Sequence, residues 1–204
     1  MGIAERKVRK HNATRKLILG TALDLYLQEG LENTTIRKIA QKIEYSPTAI
    51  YLHYQSKNGI LYDMQKIAFD FLFKYLSANQ VQESPYLRLK KFGKAYIDFG
   101  LKYPKYYDLM FILRSPMEGV QEDQPFKNCR ETYAFMLGIM TDCISTGEVK
   151  YTDPQTALLQ YWAILHGLTS LNINNRLSVI ATDEWQTTDF IYQAWEVYIS
   201  SVQA

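Results

Sequence analysis

Between Thr34 and Lys57 the chain reads TTIRKIAQKIEYSPTAIYLHYQSK, a stretch with room for little except two short helices joined by a tight turn. Gly30 stops the preceding helical pattern, Thr34 offers a hydroxyl to cap a new helix, and Ile36, Ile39, Ala40 and Ile43 recur at helical spacing. The spacing predicts a second helix over residues 35–43. Only Glu44 and Tyr45 separate it from Ser46-Pro47, a hydroxyl cap followed by proline at the first helical position, where a missing N–H is no loss. A third helix of about two turns starts there. On it Ala49, Ile50 and Tyr54 can face a core, while Thr48, Tyr51, Leu52 and His53 are left outward. A helix so short needs packing against its neighbours to persist. Ser56 then caps a fourth helix with Lys57 in its first turn, where a lysine opposes the helix dipole unless a phosphate lies nearby.

This stretch resembles the TetR family of bacterial transcriptional regulators. The residues that carry the likeness are Thr34, Thr35, Arg37, Ile39 and Ala40 at the opening, the Ser46 turn, the Ile50-Tyr51-x-His53-Tyr54 helix and the Ser56-Lys57 step. The family's usual turn glycine is Glu44 here, which predicts a strained residue or an altered angle. Gly59 stands where a glutamate or glutamine often completes the fourth helix's capping box. The resemblance implies that Arg37 contacts bases or phosphate, and that Ser46, Thr48, Ala49, Tyr51, Leu52 and His53 enter the major groove side of DNA. It implies that Tyr54 and Lys57 meet phosphate. The chemistry of these groups fits: arginine can fork onto guanine, apolar groups can meet a thymine methyl, and tyrosine or histidine can bond phosphate oxygens.

Charge is distributed to match. Residues 1–60 hold ten Lys or Arg against five Asp or Glu, and residues 61–204 hold thirteen against sixteen, so the positive charge sits with the motif. Arg6, Lys7, Arg9, Lys10, Arg15 and Lys16 lie before or at the start of the first helix, as a basic arm that can order along phosphates.

Beyond Lys57 the punctuation stays helical. A long helix runs to about Asn79, Ser84-Pro85 opens another, and Tyr103-Pro104 interrupts it before a shorter helix to Leu113. SPMEGVQEDQP reads as a polar loop. A helix from Pro125 or Phe126 closes near Gly147, Asp153-Pro154 opens the next, and a last one spans residues 184–202. The expectation is an all-α chain of about nine helices. Residues 1–57 would form a DNA-binding domain with a basic arm and a helix-turn-helix, and residues 58–204 a helical ligand-binding and dimerisation domain.

The segment ALLQYWAILHGLTSL is apolar on nearly every side, so it needs cover all round, and a second subunit is the natural cover. The last helix adds Phe190, Ile191, Ala194, Val197, Tyr198 and Ile199. In TetR-like proteins the final two helices pack on their twofold mates, and Trp162, His166 and Gly167 resemble the WHG signature of one C-terminal subgroup. A homodimer also suits the reading task, because one short helix meets few base pairs whereas two can meet a pseudo-palindrome.

Between the two ends lies an aromatic, methionine-containing middle. The chain has sixteen tyrosines, and buried hydroxyls need partners, so such a cluster suits a pocket with apolar walls and a few polar points. Tyr103, Tyr107, Phe111, Tyr133, Met136, Trp162 and His166 are the candidate effector contacts. The expected function is an operator-binding repressor released by a small apolar or amphipathic effector; the alternative is a small-molecule-binding helical dimer with weak or lost DNA recognition. An enzyme is not expected, nor a metal or cofactor, because three histidines and two distant cysteines give no ligand spacing and no nucleophile, base and orienter set. Cys129 and Cys143 read as buried thiols too far apart for a local bridge. No apolar run is long enough to cross a bilayer and no signal peptide opens the chain, which predicts a soluble, cytoplasmic protein without a membrane partner.

Overall fold

The computed structural model describes residues 2–78, 83–113, 129–179 and 187–204. Among them are nine α-helices: α1 (Ile3–Glu29), α2 (Ile36–Lys42), α3 (Pro47–Tyr51), α4 (Lys57–Ser77), α5 (Pro85–Lys102), α6 (Pro104–Phe111), α7 (Arg130–Ser145), α8 (Pro154–Ile173) and α9 (Thr187–Ser201). A short 3-10 turn, Arg176–Val179, follows α8. The sole pairing of extended backbone among the described residues is an isolated bridge between Val149 and Gln203. The expected SPMEGVQEDQP loop and the expected helix starts at Pro125 or Phe126 and at Glu184 fall outside the described residues.

Local chemistry sets most helix starts. Ser46, Ser84 and Asp153 each accept a backbone N–H through a side-chain oxygen, and a proline follows each at the first helical position. One cap differs from expectation. Thr34 is buried and donates its hydroxyl to the Gly30 carbonyl at 2.8 Å, so Thr35 takes the capping role, its Oγ1 accepting from Lys38 N at 3.2 Å. The basic residues expected as an arm ahead of the first helix lie within α1, which begins at Ile3. No glycine or proline interrupts residues 3–19, and Glu5 accepts from the Gly2 N–H at 2.8 Å, placing a carboxylate at the positive end of the helix dipole.

The chain divides into two compact units. In the first, made of residues up to 68 together with 108–113 among those described, Thr14, Ile18, Ala22 and Leu25 of α1 form a buried stripe. Ile39 and Ala40 of α2, Ile50 of α3 and Ile60, Leu61 and Met64 of α4 complete that core. Gln65, itself buried, donates to the carbonyls of Leu109 and Met110 at 3.3 and 3.0 Å, which satisfies the end of α6.

In the second unit α5 is the central element, packed by α7, α8 and α9. Two glycines on α5 make the close approach possible. A Cβ on Gly93 would run into the Trp195 ring and reach within 2.9 Å of the Tyr161 hydroxyl, and one on Gly100 would collide with the Thr169 methyl. The α8 side that meets this core carries Ala157, Leu158, Tyr161, Leu165 and Thr169. Of its other apolar residues, Leu159, Trp162, Ile164 and Leu171 are exposed in the single chain, as are Phe190 and Val197 of α9. No described helix is long and apolar enough to cross a membrane.

Candidate functional site

The pair α2 and α3 is held by a turn with one unusual backbone. Glu44 has φ of 58°, the left-handed region that glycine enters freely and an L side chain resists, so the departure from glycine does place strain in the turn. Hydrogen bonds from Glu44 N to Gln41 O and from Tyr45 N to Ala40 O hold the turn in place. Lys38 braces α2 against the end of α1 through Glu29 at 2.9 Å and Asn33 at 2.6 Å.

Helix α3 is fixed from behind by three side chains. Arg15 of α1 donates to the His53 carbonyl at 2.9 Å and to Asp63 of α4 at 2.6 Å, and its guanidinium lies 4.2 Å from the centre of the Tyr54 ring. Tyr54 donates its hydroxyl to the same Asp63 oxygen at 2.9 Å. Burial first, then the bond to Asp63 and its charge, hold that phenol's pKa well above the usual value. The C-terminal end of α3 is thereby tied to both α1 and α4.

The residues named from the sequence separate accordingly. Arg37, Ser46, Thr48, Tyr51 and Leu52 are exposed on one unit, with Tyr51 53% and Leu52 76% accessible, although a leucine and a tyrosine gain nothing from water there. Ala49 is half-buried, and Ser46 also caps α3 by accepting from Ala49 N at 3.2 Å. His53 is half-buried with Nδ1 lacking a hydrogen-bond partner. Lys57 donates to the Leu31 carbonyl at 3.0 Å, and burial lowers its basicity; two further ammonium hydrogens are left for other acceptors. Tyr54 does not join the exposed set: it is buried, its hydroxyl is engaged by Asp63, and a phosphate contact implied for it does not fit this placement. Asp63 was not among the sequence candidates, and Arg15 was expected in a basic arm along phosphates and not as a clamp on α3. They lie 48 positions apart, and nothing local in the sequence couples them.

The second unit gathers three of the seven candidate effector residues. Tyr107, buried on α6, pairs its hydroxyl with His166 Nδ1 at 2.6 Å and stacks on that ring with centroids 5.5 Å apart. Trp162 donates its indole N–H to the Tyr96 hydroxyl at 3.2 Å, and the Tyr96 ring meets Tyr107 edge-on. Burial lowers the basicity of His166 and pushes Tyr96 up to about 12. Thr169, one turn beyond His166 and fully buried, leaves its hydroxyl without a partner. Tyr103 belongs to an adjoining aromatic cluster with Phe71, Phe99 and Tyr75. Met136 is buried on α7, Tyr133 is about half exposed, and Phe111 ends α6 in the other unit. Tyr96, absent from the seven candidates, sits at the centre of the polar cluster; its signal in the sequence is its place in the same aromatic-rich segment.

Cys129 precedes α7 and Cys143 lies in its last turn, with burial raising the thiol pKa of each.

Residues 18–64 match the family model described as bacterial regulatory proteins, tetR family, and residues 89–193 match the model described as tetracyclin repressor-like, C-terminal domain. The chain is 36% identical over 59 residues to the HTH-type transcriptional regulator TcmR of Streptomyces glaucescens, covering 29% of this chain and 25% of TcmR, so it spans about a quarter of that relative's length. It is 30% identical over 63 residues to IcaR of Staphylococcus aureus (strain Newman), the negative transcriptional regulator of the biofilm operon icaADBC, covering 31% of this chain and 34% of IcaR. In fold it is similar to a TetR-family transcriptional regulator from Pectobacterium atrosepticum, with a TM-score of 0.69, 17% identity and coverage of 93% and 92% of the two chains. With the second of the two family models alone spanning just over half of its length, the chain belongs to the TetR family of bacterial regulatory proteins.

Proposed function

We propose that the protein is a sequence-specific, operator-binding repressor that acts as a homodimer and releases DNA when a small apolar or amphipathic molecule binds its C-terminal helices. In this reading residues 1–57 read the duplex and residues 58–204 bind the effector and dimerise. The observation that carries it is the exposure of Tyr51 and Leu52 on a helix whose backbone is clamped from behind by Arg15, Asp63 and Tyr54. A side chain presented outward on a rigid support is what reading base edges requires. Repression rather than activation is supported by the negative regulation for which IcaR is described.

Dimerisation through α8 and α9 is supported by the apolar residues these helices leave uncovered. An effector site near Tyr107, Trp162 and His166 is supported by the unpartnered Thr169 hydroxyl beside them, since a buried polar group without a partner is uncommon unless water or a ligand meets it. The effector must bind the DNA-released arrangement better than the DNA-bound one, or it shifts nothing. Tyr103, Phe111, Tyr133 and Met136 remain weaker candidates for its walls.

The reading is tested by measuring duplex affinity while adding compounds that bind the C-terminal helices. At least one such compound is expected to weaken DNA binding; if none does, the release step is wrong. If the protein binds no duplex even at low salt, the rival reading, a small-molecule-binding dimer without DNA recognition, replaces it.

A further inference from the structure

The reading head contains a cleft behind the outward face of α3. It lies between the first half of α1 and α3, encloses about 270 Å³ and is lined by Lys7, Lys10, His11, Tyr45, Leu52 and His53, among others. Two of the chain's three histidines meet in it: the rings of His11 and His53 have centroids 4.4 Å apart and are tilted by 36°. Nδ1 of His53 is buried and has no hydrogen-bond partner.

The charged side chains among the described residues that line this cleft are cationic. Lys7 and Lys10 come from α1, and Arg15 of the same helix bonds the His53 carbonyl. Asp63 of α4 is engaged by that arginine and by the Tyr54 hydroxyl. Tyr45 enters from the turn before α3. No carboxylate is among the described residues that line the cleft. Burial, followed by the charges of His11 and Arg15, lowers the basicity of His53. The cleft therefore collects positive potential without a counter-charge.

Leu52 and Ala49 supply one wall of the cleft and belong to the face expected to enter the major groove. A helix seated in that groove has a phosphate strand along its flank. We propose that the cleft seats one backbone phosphate of the bound duplex between the lysines and the His11–His53 pair, and that seating it draws one proton from solvent onto the pair. The inference rests on the operator-reading proposal above. A phosphate raises the basicity of the imidazoles it faces, and by linkage the duplex binds more tightly where the pair is protonated. Affinity therefore rises as pH falls from about 8 to about 6, by at most about tenfold per pH unit for one linked proton.

The test uses the full-length protein, a duplex that it selects from a random pool, and fluorescence anisotropy across that pH range at fixed ionic strength. The wild type is expected to bind several-fold more tightly at the acid end. His11→Gln, at an exposed position, is expected to flatten the pH response and to make the salt dependence at low pH shallower by about 0.9 in log–log slope, the share of one phosphate. By proton NMR, the His11 and His53 ring signals are expected to move on adding duplex, that of His53 titrating at higher pH with duplex than without, while His166, bonded to Tyr107 in the other unit, serves as the internal reference. Binding that is tight and sequence-selective yet flat in pH, or a pH response that survives in both His11→Gln and His53→Gln, overturns this inference alone. A protein that retains no duplex at any pH overturns the operator reading with it. Inorganic phosphate is the remaining arm: if it shifts the two histidine signals and the duplex does not, the seat serves a free anion and the DNA assignment is wrong.

Discussion

Arg15 and Asp63 form a 2.6 Å ion pair that joins α1 to the second turn of α4, and the Tyr54 hydroxyl shares the same carboxylate oxygen. Because Arg15 also holds the His53 carbonyl, the position of α3 depends on one carboxylate in α4. Asp63→Ala leaves a buried phenol and a guanidinium without their acceptor and is expected to cost about 1–3 kcal/mol, read by denaturant unfolding. Hydrogen exchange at the His53 and Tyr54 amides should accelerate. Combined with Arg15→Ala, the two losses should be clearly less than additive, since each removes the same contact. Full additivity would show that the pair is not coupled.

Glu44 in the turn makes the opposite prediction. Its left-handed backbone is one that glycine adopts at no steric cost, so Glu44→Gly should raise stability by about 1 kcal/mol. It also removes a carboxylate from the side that would face phosphate, so duplex affinity should rise. Thermal unfolding and anisotropy check the two effects separately; a destabilised variant would mean that the side chain makes a favourable contact outweighing the strain.

Gly93 is irreplaceable on packing grounds. Gly93→Ala forces a methyl into Trp195 and towards the Tyr161 hydroxyl, which donates to the Leu89 carbonyl at 2.6 Å. A cost of about 1–3 kcal/mol or more is expected, seen as a lower melting temperature. An unchanged melting temperature would mean that α5 and α9 do not approach as closely as described.

Stability should fall on acidification through histidine ionisation. His53 and His166 have folded-state pKa values below the ordinary imidazole value, burial being the first cause for both. The unfolded chain thus binds more protons than the folded one once pH drops below about 6.5, and stability present above that pH is lost beneath it. Melting temperatures at about pH 7.5 and about pH 5.5 test this, and His166→Gln should reduce the difference. The sign is opposite to that expected for duplex binding, so the two measurements separate a destabilised head from a protonated contact.

Leu159 and Val197 are 62% and 71% exposed in the single chain. Leu159→Asp and Val197→Asp should therefore leave monomer folding within about 0.5 kcal/mol. If α8 and α9 form the dimer seam, each substitution buries a charge there and shifts the protein to monomer in sedimentation velocity. Dimers that persist in both variants would place the seam elsewhere.

What the sequence revealed was local. Ser46-Pro47, Ser84-Pro85 and Asp153-Pro154 mark helix starts because a capping oxygen and an N1 proline act within a few residues, and each of the three starts where expected. The choice between Thr34 and Thr35 was not visible, since it depends on which hydroxyl faces the core. The same holds at the candidate site. Exposure of Tyr51 and Leu52 and the inward side of Tyr54 follow from the apolar spacing of α3, whereas the engagement of the Tyr54 hydroxyl, which removes it from the phosphate contacts, is decided by Asp63 and Arg15 from distant helices. The gathering of Tyr107, Trp162 and His166 around Tyr96 likewise joins α5, α6 and α8, and spacing along one helix carries no record of it.

The central claim is that two copies of this head read DNA together, and selection of bound duplexes from a random pool by the full-length protein tests it most directly. The enriched sequences are expected to be pseudo-palindromic, with half-sites about one helical turn, roughly 34–36 Å, or a multiple of it apart. Enrichment of a single unrepeated half-site, or no enrichment at low salt, would contradict the account.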